Sequence, residues 1–120
     1  MKENLITRLN KGPVICAEGY LFEMERRGYL SAGPFVPEVV LEHPDALIQL
    51  HKEYVRAGSD IVQPFTYYAH REKLRIIGKE NLLEKMQKNA LKIAKDVANE
   101  YKDLDLMVCG DMANTNIFDP

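Results

Sequence analysis

Short apolar runs alternate along this chain with longer stretches whose apolar residues return every three or four positions. The short runs are Val14-Ile15-Cys16-Ala17, Asp60-Ile61-Val62-Gln63-Pro64-Phe65 and Asp105-Leu106-Met107-Val108-Cys109. Their length and β-branched content predict strands over 14–17, 60–65 and 105–109. Between them lie helical patterns. Leu5, Ile6 and Leu9 define a short helix over 3–10, stopped by Asn10-Lys11-Gly12-Pro13. A brief helix over 21–27 ends at Gly28, and 37–42 holds a further helical turn or two. Ser31-Ala32-Gly33-Pro34-Phe35-Val36-Pro37 is a loop by its glycine and prolines.

Two long helices follow. One runs over 45–57, with Asp45 as its cap, Pro44 before it, and Leu47, Ile48, Leu50, Tyr54 and Val55 as its apolar stripe. Gly58 ends it. The other runs over 80–101, with Leu82, Leu83, Met86, Ala90, Ile93, Ala94 and Val97 on one face and Lys and Glu on the other. That stripe is core, packed on the outside of a sheet. Strands separated by helices imply a parallel sheet, because parallel neighbours need a crossover between them. The pattern reads as the opening of a (β/α) barrel, an α/β class fold. Three such strands leave two open edges and an uncovered sheet face.

Composition narrows the partners. With 120 residues the chain is one domain at most. A net charge of −2 offers no basic excess to hold nucleic acid. Apolar runs of only a few residues span no bilayer, and the polar N-terminus lacks the apolar core of a signal peptide, so a cytoplasmic location is expected. Cys16 and Cys109 are far apart in sequence and have no metal-ligand spacing, so they read as free thiols. His43, His51 and His70 are not spaced as a metal set and read as surface or packing residues.

Candidate chemistry gathers after the strands, where parallel α/β folds bind ligands. Glu18 and Gly19 close the first run. The Glu18 carboxylate serves either as a ligand for an ammonium group or as a solvated carboxylate or helix cap. Gln63 and Thr66 sit at and just beyond the second run, as site residues or as hydrogen bonds shaping the turn. Asp111 and Asn114 follow the third run, facing the same end or capping the next helix.

The order and spacing of several motifs resemble the N-terminal part of the homocysteine S-methyltransferases, and most of all the betaine–homocysteine methyltransferase branch. These are Glu18-Gly19-Tyr20-Leu21-Phe22-Glu23-Met24-Glu25-Arg26-Arg27-Gly28-Tyr29, Ala32-Gly33-Pro34-Phe35-Val36-Pro37-Glu38, Glu42-His43-Pro44 and Leu50-His51-Lys52-Glu53. Arg56-Ala57-Gly58-Ser59 and Val62-Gln63-Pro64-Phe65-Thr66-Tyr67-Tyr68-Ala69 complete the set. The resemblance implies that residues 1–120 are an N-terminal fragment of a homocysteine-binding (β/α)8 barrel domain, a partial TIM barrel of three β/α units.

It also implies a chemistry. Homocysteine is held with its sulfur on a zinc ion, whose cysteine ligands lie in later strands and are not present in this chain. The resulting thiolate attacks a methyl group on a donor such as betaine or S-methylmethionine, giving methionine. The family's first strand usually ends in Asp-Gly, the aspartate holding the substrate's ammonium. Here Ala17 stands at that position and Glu18 one residue later, on the opposite face of the strand. The resemblance places Tyr20, Phe35 and Tyr68 near the donor, where aromatic faces attract a quaternary ammonium.

The expected substrate-binding set is therefore Glu18, Gly19, Tyr20, Phe35, Gln63, Thr66 and Tyr68, with no catalytic residue and no metal ligand in the chain. Expected partners are homocysteine and a methyl donor. A chain of this kind is expected to be inactive alone. As alternatives it is a non-catalytic binding or assembly module, self-associating or paired with a complementing C-terminal chain, or a truncated gene product.

Overall fold

The computed structural model describes residues 2–31, 33 and 36–120. It is a helix-rich α/β fold around a small parallel sheet. The helices are α1 (Leu5–Leu9), α2 (Tyr20–Arg26), α3 (Val39–Glu42), α4 (Pro44–Arg56), α5 (Arg71–Ile76) and α6 (Leu83–Glu100). The strands are β1 (Ile61–Val62) and β2 (Met107–Val108), paired in parallel with Ile61 opposite Met107. Cys16 joins from the other side through a single parallel bridge to Ile61.

The strands are shorter than their apolar runs. The expected first strand over 14–17 is reduced to the Cys16 bridge, though its backbone bonds are sound: Ala17 N–H donates to the Ile61 carbonyl at 3.1 Å and Ile61 N–H to that of Ile15 at 3.1 Å. Beyond Val62 the ladder stops because Pro64 has no N–H to donate. Three extended segments thus lie side by side in chain order, all parallel.

Parallel pairing puts facing side chains on one side of the sheet, and alternate residues on opposite sides. Ala17, Val62, Leu106 and Val108 face the helices. Val62 and Leu106 pack with Val55, Ala94, Val97 and Ala98 of α4 and α6. Ala17 joins Tyr20, Met24, Val39, Val40, Leu47, Leu50, Phe65 and Ala90 in the larger core. On the other face Cys16, Gln63, Met107 and Cys109 stay half-exposed.

The helix boundaries follow local chemistry. α4 begins at Pro44, whose fixed φ suits the first helical position, with Asp45 inside the first turn rather than at the cap. His43 is the N-cap residue and makes no side-chain capping bond. Helix α5 was not expected from the sequence, because Leu74 is its one buried residue and carries no periodicity by itself. His70 starts it, its Nδ1 accepting from the Lys73 N–H at 3.4 Å. Leu82 and Leu83 of the expected α6 stripe are only partly buried, while Met86, Ala90, Ala94 and Val97 form the packed face.

His51 is the unusual core residue. It is 1% exposed on α4, and its Nδ1 lies 3.1 Å from the Tyr20 hydroxyl. Burial pushes its imidazole down to about 4, against about 6.5 in an unfolded chain. A histidine held neutral by the fold contributes stability that is complete above its unfolded pKa and is lost as pH falls toward the folded one. Between pH 7 and pH 5 the urea-unfolding free energy is expected to drop by about 2 kcal/mol through this group alone. His51→Gln should flatten that slope; an unchanged slope would assign it to other groups.

Candidate functional site

At the carboxyl ends of the three parallel segments lies a cavity of about 340 Å³. Glu18 and Gly19 reach it from the first segment, Gln63, Pro64, Phe65, Thr66 and Tyr67 from the second, and Asp111 from the third. Tyr20, Leu21 and Phe22 of α2 complete the wall. Five of the seven expected site residues therefore meet in one place: Glu18, Gly19, Tyr20, Gln63 and Thr66.

Gly19 makes the turn into α2 possible. Its φ is +81°, a left-handed conformation that favours glycine, and an added Cβ would touch the Tyr54 hydroxyl at 3.6 Å. The turn drops Tyr20 into the core, where its ring meets His51 and Tyr54 edge-on, each with centroids 4.9 Å apart. Burial raises the Tyr20 phenol well above its ordinary pKa, outweighing the opposing hydrogen bond from the Gln63 backbone. Tyr20 is thus a neutral, fixed wall that ties the cavity to the core.

The polar lining is acidic. Glu18 is exposed at the mouth and Asp111 is half-buried. No Lys or Arg lines the cavity among the described residues. Two carboxylates over an apolar wall favour a cationic or ammonium-bearing guest. Thr66 is 7% exposed, and its Oγ1 has no hydrogen-bond partner among the described residues. A buried hydroxyl without a partner is a vacant contact for a polar guest.

Phe35 lies outside the described residues. Tyr68 does not line the cavity; Tyr67, which the sequence reading passed over, does. The cause is the turn Thr66–Ala69, closed by Ala69 N–H donating to the Thr66 carbonyl at 2.9 Å. Tyr68 takes φ +62° in it, a left-handed conformation uncommon for a non-glycine residue. It stacks on Tyr67 with centroids 4.1 Å apart and a 27° tilt. Lys73 Nζ lies 4.4 Å from the Tyr68 ring centroid. The chain's own ammonium already occupies the cation-attracting ring that the resemblance assigns to a donor. A hydrogen bond to Tyr68 raises the Tyr67 phenol, with burial adding to it.

Among the described residues no group of three or more His, Cys, Asp and Glu is arranged to hold a metal ion. A catalytic zinc needs three protein ligands, so the described residues do not fit that ion. His43 lies 5.2 Å centroid to centroid from Tyr29, and His70 caps α5, in keeping with packing roles. The two thiols are free, yet the fold brings Cys16 Sγ and Cys109 Sγ to 4.0 Å of each other. Burial foremost, and Cys109 next, push the Cys16 thiol up to about 11.

Parallel segments in chain order, with helices behind them and a polar cavity at their carboxyl ends, define a helix-rich α/β fold with its cavity at the end of the sheet where folds of this class bind ligands. Residues 15–118 match the family described as homocysteine S-methyltransferase, and the chain belongs to that family. It is 40% identical over 119 residues to betaine–homocysteine S-methyltransferase 1 of Xenopus tropicalis, covering 95% of this chain and 29% of that protein. To the Danio rerio protein of the same name it is 42% identical over 117 residues, covering 95% and 28%. The chain thus spans under a third of these relatives' length. A solved structure, the homocysteine methyltransferase MmuM of Escherichia coli in its metallated form, shares the fold with TM-score 0.75 at 22% identity. That match covers 91% of this chain and 41% of the other.

The left-handed Tyr68 yields a test of this local geometry. Tyr68→Gly releases the backbone penalty of roughly 1–2 kcal/mol carried by a non-glycine residue in that region. Tyr68→Ala loses the same ring and keeps the penalty. The glycine variant is expected to be the more stable of the two by about 1 kcal/mol in urea unfolding. Equal stabilities would rule out the left-handed turn.

Proposed function

We propose that this chain forms three successive β/α units of a (β/α)8 barrel and supplies part of the amino-acid pocket of a homocysteine S-methyltransferase, inactive until the remaining strands are provided. The family match supports this reading, as does the parallel order of the three segments. The observation that carries it is the meeting of Glu18, Gln63, Thr66 and Asp111 in one cavity at the segments' carboxyl ends.

In this reading the carboxylates of Glu18 and Asp111 hold the α-ammonium of homocysteine. Thr66 Oγ1 and the Gln63 side chain hydrogen-bond its polar groups, and Tyr20 gives a rigid wall against which the substrate is oriented. The chain's own work is to bind and align, which converts an encounter into a near-attack geometry. Activation of the substrate sulfur would fall to a zinc ion held by cysteines of the later strands. The methyl donor is betaine or another methyl-bearing cation, drawn by the same acidic mouth. For Tyr68 to contact it, Lys73 must leave the ring.

Co-expression with the missing segment of a related homocysteine S-methyltransferase tests the proposal. Methyl transfer to homocysteine is expected only in the reassembled protein. There Glu18→Ala should lower kcat/KM for homocysteine by about 1.5–3 kcal/mol, the value of a sheltered charge-assisted hydrogen bond. Asp111→Asn should lower it in the same direction. Full homocysteine kinetics in both variants would remove this cavity from the substrate site. Lys73→Met should improve use of a cationic donor by freeing the Tyr68 face; an unchanged donor KM would take Tyr68 out of the donor site.

A further inference from the structure

Cys16 and Cys109 come from segments that flank β1 on either side. The register places both side chains on the half-exposed sheet face, each two residues before a cavity carboxylate, Glu18 and Asp111. Their sulfurs lie 4.0 Å apart. One strand lies between them, and Cys109 lies two residues beyond Met107, the position level with Cys16, so the usual interstrand spacing puts their Cα atoms no closer than roughly 9 Å. A disulfide needs Cα atoms within about 7 Å, so direct S–S closure requires the backbone to move.

A single bridging atom requires no such movement. Metal–sulfur bonds of about 2.3 Å span roughly 3.8 Å between sulfurs at a tetrahedral angle and about 4.6 Å when linear. The observed 4.0 Å lies between those limits. We infer that Cys16 and Cys109 form a two-thiolate site for a soft d10 cation, Cu(I), on the open face of the sheet beneath the acidic cavity. Zinc is not the ion that fits. It demands further protein ligands, which are absent among the described residues, whereas thiolates select Cu(I) by softness. Glu18 and Asp111, after burial and Cys109, help hold the Cys16 thiol protonated in the free chain, and the same negative charges favour approach of a cation that displaces the proton. Binding is a proton exchange: two thiols and one Cu(I) give one bis-thiolate anion and two protons. Neither cysteine lines the cavity, so the two sulfur ligands are distinct from the residues assigned to the substrate.

The test uses the full chain, reduced and anaerobic, titrated against Cu(I) held by the chromogenic chelator bicinchoninate. One Cu(I) per chain is expected to transfer, while Zn(II) is washed out by dialysis. Cys16→Ser and Cys109→Ser should each weaken retention at least a hundredfold while keeping the wild-type helical circular dichroism. Phenylarsine oxide gives a second readout that needs no variant. Its arsenic should bridge both thiols of the wild-type chain, adding one phenylarsenic unit with loss of one water. Failure to withdraw copper overturns the inference. So does unweakened copper retention in either serine variant, or an arsenical that leaves both thiols open to alkylation.

Discussion

The backbone hydrogen bonds made by Asp60–Val62 are the constraint on which the rest of the molecule depends. Ile61 exchanges bonds with Ile15 and Ala17 on one side, while the Asp60 and Val62 carbonyls accept from Met107 and Cys109 on the other. These few bonds decide the parity of every side chain near the sheet. Had the first segment slipped by one residue, Cys16 would face the helices and Ala17 the open side. The core opposes that slip: Ala17 is 4% exposed in one cluster with Tyr20, Met24 and Leu47, and a slip would bring Cys16 or the charged Glu18 into its place. Hydrophobic packing behind the sheet thereby sets which groups stand in front of it.

The same parity turns Ala17, where the resemblance expects an acid, toward the helices, while Glu18 reaches the cavity. Glu18 stands one residue beyond that position, and Gly19, at φ +81°, lets the backbone turn immediately afterwards. A longer side chain starting one residue later reaches the mouth of the cavity. Asp111 answers it from the third segment, so the acidic character of the site rests on two strand ends and not on one.

Most of the helical framework was legible because burial repeats with helical period. Met86, Ala90, Ala94 and Val97 on α6, and Leu47, Leu50 and Val55 on α4, state their faces in the sequence. The strand cores were legible as apolar runs, but their lengths were not, since a ladder ends where partners end and a proline intervenes. Helix α5 was hidden because six residues with a single buried leucine carry no period. Glu18, Gly19, Gln63 and Thr66 were legible as strand-end residues, and Tyr20 through the family resemblance. The exchange of Tyr68 for Tyr67 was not, because it turns on one left-handed φ that few non-glycine residues adopt. The thiol pair was invisible for a different reason: 93 residues separate Cys16 from Cys109, and only register brings them together.

The cavity also shows how a polar site is joined to a core without a buried charge. Tyr20 lies between them, its ring in one core cluster with Met24, Leu47 and Leu50 and its hydroxyl 3.1 Å from His51 Nδ1. Burial moves both groups away from ionisation, the phenol upward and the imidazole downward, so both stay neutral. A neutral pair of this kind costs far less to bury than an ion pair and still fixes one rotamer for each ring. Any guest held by Glu18 and Asp111 therefore meets an aromatic wall that cannot swing away without breaking a core hydrogen bond. The charges that select the guest sit at the solvent end of that wall, where water lowers the cost of keeping them ionised. Separating the rigid neutral layer from the charged rim allows one short chain to hold both a packed core and an acidic pocket.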